Sequence, residues 1–165
     1  MKTVLAPIDF SRTSGRVIAE ATTLARAIGA RLVLLHVVTP APVIGSAPTL
    51  LMASAEFAAA ADREAVKKLT QLQRSLRDEG VTAQAVHDNG DARTCIVAQA
   101  EKLSADYIVM GSRGRTAFHG MLAGGTATGV LESASGRVVI VPSGVRDFCG
   151  KRKGVPAISR AVVKG

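Results

Sequence analysis

Tryptophan is absent from this 165-residue chain, tyrosine occurs once, and aromatic residues make up only 3% of it. Proteins that bind single-stranded nucleic acid stack bases on aromatic side chains, so that class of function has little support here. The two cysteines, Cys95 and Cys149, form no Cys-x-x-Cys pair, which removes the usual zinc and dithiol redox sites. In a chain without a secretory signal they read as reduced thiols. No uninterrupted apolar run approaches the length of a membrane-spanning helix. The opening MKTVLAPIDF breaks at Pro7 and Asp9, too soon for the apolar core of a signal peptide. A cytoplasmic protein without a membrane partner is therefore expected. Acidic residues are also scarce, 13 against 21 basic, for a net charge of +8. The excess is concentrated in residues 143–165, where Arg146, Lys151, Arg152, Lys153, Arg160 and Lys164 face Asp147 alone. Such a cluster attracts polyanions. Short basic tails often serve solubility instead, and nucleic acid is not an expected partner.

What is present is ordinary for a soluble domain: 47% hydrophobic and 21% charged residues. A chain of this length can bury a full core as one domain. Residues 2–8 (KTVLAPI) and 31–38 (RLVLLHVV) are continuous apolar runs, suited to strands buried on both faces. Pro7 argues against a central strand, an objection softened by its place near the strand end. Between them Ser11 offers an N-cap, Val17, Ile18, Ala21, Leu24, Ala25 and Ile28 recur at helical spacing, and Gly29 ends the helix. Pro40, Pro42, Gly45 and Pro48 mark residues 39–53 as a loop. A long helix is predicted over 54–79, with Phe57, Ala61, Leu69, Leu72 and Leu76 as its apolar stripe. Residues 81–87 alternate as an edge strand should. Asn89-Gly90 makes a turn, and Asp91 caps a helix running to about 103. A short strand at 106–110, a glycine-rich stretch at 111–125, a helix near 126–134 and a strand at 137–142 complete the pattern. The tail from Ser143 shows no firm period.

Strand–helix alternation of this kind predicts an α/β fold: an open five-stranded parallel sheet with helices on both faces. In such sheets ligands bind beyond the carboxyl ends of the strands, where strand order reverses. The segments to inspect are 7–11, 37–41, 88–92 and 110–126. The last, GSRGRTAFHGMLAGGT at 111–126, carries the strongest signal. Gly111 follows a strand, Gly114 comes three residues later, and Gly124 and Gly125 precede a helix whose free N–H groups favour an anion. Arg113 and Arg115 add positive charge. No Lys follows Gly125, so this is not a Walker A loop, and no G-x-G-x-x-G is present. Turn glycines followed by a Thr126 cap would leave the same pattern. His36 and His87 fall on strands that can be neighbours, but no carboxylate or thiolate cluster completes a metal site. His119 lies inside the glycine loop. No G-x-S-x-G elbow and no Ser–His–acid set can be placed, so no catalytic residue is assigned.

The spacing Gly111-x2-Gly114-x9-Gly124, with VLAPIDFS at 4–11, LVLLHVV at 32–38, GDA at 90–92, ADYIVMGSRG at 105–114 and RVVIVP at 137–142, resembles the universal stress protein family. The resemblance covers residues 1–142 as one domain and leaves the basic tail 143–165 unexplained. It implies strand order 3-2-1-4-5 and a stress-response regulator that binds an adenine nucleotide, ATP or AMP, with or without magnesium, in the crevice between the first and fourth strands. Carried over residue by residue, the chain around Pro7, Ile8 and Asp9 helps hold adenine and ribose, and Val38 packs near the adenine. Met110 and Gly111 end the fourth strand, and phosphates lie over Gly111, Arg113, Gly114, Gly124, Gly125 and Thr126. It also implies a homodimer through strand 137–142, whose apolar edge invites another chain, and an unidentified protein partner. Turnover would be at most slow ATP hydrolysis. One departure stands out. The family has Ser or Thr after the third glycine and a second hydroxyl two positions on; here those positions are Gly125 and Ala127. A shift of one residue would supply Thr126 and Thr128 instead. The alternative reading is a dimeric interaction protein of the same fold that binds no nucleotide.

Overall fold

The apolar runs pair side by side because each is buried on both faces and can satisfy its backbone only in a ladder. In the computed structural model, residues 1–39, 48–112, 125–142 and 162–164 are described, with side chains for all of these except 48–55 and 162–164. The elements in order are β1 (Thr3–Pro7), α1 (Ser14–Ile28), β2 (Arg31–Val38), α2 (Pro48–Asp78), β3 (Ala83–Asn89), α3 (Ala92–Lys102), β4 (Tyr107–Gly111), α4 (Gly125–Ser133), β5 (Arg137–Val141) and β6 (Val162–Lys164). The sheet order is β3-β2-β1-β4-β5-β6. The first five strands are parallel, in the predicted order 3-2-1-4-5.

Side-chain alternation along the strands divides the core in two. Val4, Ala6, Leu32, Leu34, Val109 and Val139 face Val17 and Ala21 of α1 and Leu69 and Leu76 of α2. Leu5, Val33, Leu35, Ile108 and Val138 face Ile96 of α3 and Val130 of α4. A helix layer on each face is what lets the central strands β1, β2 and β4 be apolar on both sides, while the edge strand β3 keeps polar residues such as Gln84.

Four expectations need correction. The cap of α1 lies two residues later than Ser11: Thr13 occupies the N-cap position, and Ser11 belongs to the turn before it. Here Ser11 Oγ accepts from Thr13 N–H. The long helix begins at Pro48 rather than 54, since proline's missing N–H costs nothing in a first helical turn. Its apolar stripe does not reach Phe57, which is 79% exposed; the buried face runs from Ala65 through Leu69 to Leu76. Geometry explains this: 31 residues of helix span about 46 Å, against about 26 Å for the eight residues of β2. The fourth correction is at the sheet edge. Strand 137–142 is not the outermost strand, because Val162–Lys164 of the tail pairs with it antiparallel. A run of three residues inside a basic segment carries too little periodicity to be read as a strand.

The contrast between Leu34 and Phe57 gives the first prediction. Leu34 is fully buried in the centre of β2. Leu34→Ala should cost about 2–5 kcal/mol, whereas Phe57→Ala should change stability by no more than about 0.5 kcal/mol. Urea unfolding of the two variants tests this; equal losses would mean that Phe57 is covered.

Candidate functional site

Strand order reverses between β1 and β4, and the ladders there are uneven. β1 pairs with β2 along its whole length, Thr3 to Pro7 opposite Arg31 to Leu35. β4 pairs with β5 along its whole length. Yet β1 and β4 pair only at Val4–Tyr107 and Leu5–Ile108. Beyond those positions the ladder stops, and the carboxyl ends of β1 and β4 flank an opening in the sheet's hydrogen bonding.

Pro7 accounts for the place where pairing stops. N–H groups of successive strand residues point to opposite neighbours. Ile8 N–H goes to Leu35 O in β2, so position 7 faces β4. Proline has no N–H to offer there. The residue that argued against a central strand is the one that ends the central ladder.

Asp9 lies at this lip. Its Oδ1 accepts from Ser11 N–H and from the Ser14 hydroxyl, both at 3.0 Å. Its Oδ2 is buried and has no hydrogen-bond partner among the described residues. Burial pushes the Asp9 carboxyl up, but the hydrogen bonds from Ser11 and Ser14 together outweigh it and hold the group below its ordinary value. The carboxylate is thus charged at neutral pH, with one oxygen committed to the chain and one not. Phe10 next to it takes φ 56°, a left-handed backbone that turns the chain into α1.

Behind Asp9, buried His36 places Nδ1 2.8 Å from Ile8 O. Its ring stacks on His87 at 5.8 Å and tilts against Phe10 at 4.6 Å. His36 and His87 are direct neighbours across β2 and β3. His87 Nε2 in turn meets Asp62 Oδ1 of α2 at 2.7 Å. This row ties α2, β3 and β2 to the chain around Ile8. The sequence placed the two histidines on adjacent strands but did not link them to the crevice, because the Ile8 carbonyl and Asp62 enter only through tertiary contact. Among the described residues, no group of three or more His, Cys, Asp or Glu could hold a metal ion.

The other predicted residues take the following places. Pro7 and Val38 end β1 and β2, and buried Met110 and Gly111 end β4. Ile8 is buried just past β1. Gly125 and Thr126 open α4 and are exposed. These positions share the carboxyl side of the sheet. Arg113, Gly114 and Gly124 lie outside the described residues, as does His119. Gly90, just past β3, donates its N–H to Val38 O at the end of β2. Its φ of 148° suits glycine, and a Cβ would meet Cys95 Sγ at 3.0 Å.

The α4 entry bears on the departure noted above. Gly125 has ordinary helical backbone, and a Cβ there would meet nothing within 4 Å. Ala127 is only 2% exposed and packs into the core with Val130 and Ile96. A hydroxyl at 127 would point inward, so the first turn can present one to a ligand at 125 or 126.

The profile of the Universal stress protein family matches residues 1–142. The chain belongs to the universal stress protein family. It is 31% identical over 143 residues to Universal stress protein A homolog 1 of Coxiella burnetii (strain RSA 493 / Nine Mile phase I), covering 85% of this chain and 95% of that one. Among solved structures it resembles the universal stress protein UspA from Lactobacillus plantarum, with TM-score 0.73 and 23% identity over 84% of this chain and 96% of the other. It also resembles a universal stress protein crystallised in complex with cAMP, with TM-score 0.64 and 21% identity over 87% and 98% of the two chains. The family match ends where the basic tail begins.

Two predictions come from Pro7 and Asp9. Pro7→Ala introduces an N–H toward β4, so the β1–β4 ladder should lengthen and the new amide at position 7 should be protected from hydrogen exchange; free exchange there would show that something else stops the ladder. Asp9 contributes stability that is complete above the unfolded carboxylate value, about 3.9. That stability is lost as pH falls through the lower folded value. Asp9→Asn should remove this part of the acid-induced loss, measured as urea stability between pH 5 and pH 2. An unchanged profile would assign the loss to other carboxylates.

Proposed function

We propose that this universal stress protein is a stress-response regulator that binds an adenine nucleotide in the opening between β1 and β4. The observation that carries the reading is the buried Asp9 Oδ2, charged and without a hydrogen-bond partner among the described residues, at the point where the β1–β4 ladder stops. A buried carboxylate oxygen gains most from a hydroxyl donor, and a ribose supplies two. Backbone N–H groups at the start of α4 favour phosphate. The cAMP complex of a structural relative supports the same ligand class. ATP and AMP are both compatible with the site, and the chain's own residues bind and orient the ligand rather than attack it. A cytoplasmic location accords with the absence, among the described residues, of any helix long and apolar enough to cross a membrane.

The competing reading, an interaction module that binds no nucleotide, draws on buried Ala127 and hydroxyl-free Gly125. Mass spectrometry of ligand released from purified protein, followed by calorimetry with ATP and AMP, separates the two. A copurifying adenine nucleotide, or saturable binding that Asp9→Ala weakens, is expected. No ligand and no saturable binding would favour the interaction module.

The α4 entry sharpens the test. Gly125→Ser adds a hydroxyl at an open, unstrained position and should strengthen ATP binding by about 0.5–1.5 kcal/mol while leaving AMP unchanged. Thr126→Val should weaken ATP binding by a similar amount if Thr126 already supplies the contact. A gain from Gly125→Ser with no loss from Thr126→Val aligns the family's hydroxyl with position 125; the reverse aligns it with 126.

A further inference from the structure

We infer that Phe10 is a positioning residue for the candidate site: its ring, seated on His36, holds a left-handed turn that phenylalanine otherwise avoids, and that turn fixes the Asp9 carboxylate at the lip of the opening. The value of this to a nucleotide rests on the reading above, whereas the coupling of Phe10 to Asp9 stands without it. Among the described residues, Phe10 and Ser104 are the non-glycine residues with positive φ, at 56° and 47°. Ser104 has a local reason. It follows the last turn of α3, where Ser104 N–H donates to Glu101 O at 3.0 Å and Ala105 N–H to Ala100 O at 2.8 Å. That pair of bonds closes a helix on a left-handed residue. Phe10 ends no helix, and a bulky side chain at positive φ is an outlier. Such a conformation persists only where its surroundings over-determine it.

The surroundings here act on both sides of Asp9. Asp9 Oδ1 accepts from Ser11 N–H at 3.0 Å. This bond closes a ring of atoms that contains the Phe10 backbone, so a large change of φ at Phe10 carries Ser11 N–H away from the carboxylate. The Ser14 hydroxyl donates to the same oxygen. The Phe10 side chain is half-buried against the core layer that includes Ile8 and Val17. Its ring centroid lies 4.6 Å from that of His36, tilted by 51°, within the range of attractive ring pairs. His36 is itself buried, and its Nδ1 lies 2.8 Å from Ile8 O. A carbonyl only accepts, so Nδ1 carries the proton. One imidazole thus supports the carbonyl before Asp9 and the ring after it.

The two hydrogen bonds to Asp9 Oδ1 are open to any residue at position 10, since neither uses its side chain. What offsets the backbone cost is therefore the seat of the ring. Without the ring, a residue with a Cβ has reason to leave the left-handed region, and the Asp9 carboxylate loses its fixed place. With the ring, Oδ1 stays committed to Ser11 and Ser14 while buried Oδ2 has no hydrogen-bond partner among the described residues. A ligand hydroxyl then meets an acceptor already in position. If removing the ring leaves Asp9 so placed in about one molecule in ten, the apparent dissociation constant rises about tenfold.

Two replacements in the full-length chain separate ring from backbone. Phe10→Ala removes the ring and keeps the Cβ, so the left-handed turn is strained with nothing to offset it. Phe10→Gly removes ring and strain together. In calorimetry with ATP, Phe10→Ala should weaken binding about tenfold, and Phe10→Gly should regain part of the loss. A Phe10 that touched the nucleotide itself would make the two variants lose equally. The second readout needs no nucleotide: titration of the Asp9 carboxyl, followed by NMR in the free protein. Burial pushes that carboxyl up, and the bonds from Ser11 and Ser14 together hold it below its ordinary value. A loosened turn weakens those bonds, so the titration should move upward in Phe10→Ala and less in Phe10→Gly. Urea unfolding should show the glycine variant more stable than the alanine variant, and an alanine variant that fails to fold where the glycine variant folds reads the same way. If neither the wild type nor a variant binds ATP or AMP, the nucleotide reading fails and the Asp9 titration still decides the role of Phe10. Three results would overturn the inference: equal loss of ATP binding in the two variants, an Asp9 titration that neither variant moves, or loss of the fold in both, which would make Phe10 a core residue only.

Discussion

Everything at the candidate site depends on one backbone position where hydrogen bonding stops. β1 is the middle of the sheet, and a middle strand normally binds both neighbours along its whole length. Here it does so only toward β2. On the β4 side the ladder ends after Leu5, and the next residue facing β4 is Pro7, which has no N–H. The reversal of strand order already sends the crossover helices to opposite faces at this point. Proline adds a local reason for the strands to separate. The opening is therefore a consequence of chain chemistry at one residue combined with chain direction at two strands.

The walls of that opening are held from behind. Asp9 is fixed by Ser11 and Ser14, so its free oxygen has a defined direction. The Ile8 carbonyl is held by His36, which stacks on His87, and His87 is held by Asp62 from α2. Val38 is tied through Gly90. These contacts come from four separate stretches of chain. They hold the β1–β2 side in place, the side on which the proposed nucleotide would lay its base and sugar. The α4 entry, on the other side, presents exposed Gly125 and Thr126. A pocket with one fixed wall and one open helix start can orient a nucleoside while leaving its outer phosphates near solvent.

Much of the fold was legible because buried parallel strands are written as continuous apolar runs, such as RLVLLHVV, and because glycine and aspartate mark the ends of helices. Gly90 and Asp91 did so for α3, where Asp91 accepts from Thr94 N–H. Misreadings arose where local signals compete or are too short. Ser11 has the side chain of a cap, yet the helix starts two residues later, after Thr13, because Ser11 is held in the preceding turn by Asp9. Phe57 fits the apolar period of α2, yet the helix outruns the sheet that would have buried it. β6 is three residues long and has no period to read. For the site, Asp9 could be singled out as a strand-end acid, but its unshared oxygen could not. His36 was visible as a residue and invisible as a support, since its partner is a backbone carbonyl.

The central position of β1 has a consequence in time. Its first ladder partner in the chain is β2, but its other neighbour is β4, and the contact from Thr3 N–H to Asp106 spans 103 residues. At a synthesis rate of about 5–20 residues per second, roughly 5–20 s separate the emergence of these two strands from the ribosome. During that interval β1, β2 and β3 can form a three-stranded intermediate whose bare edge is β1, one of the most apolar strands in the protein. Pro7 is already on that edge. A proline on an exposed edge obstructs pairing with foreign strands, so the residue that later opens the crevice also shields the nascent chain while it waits for its own β4.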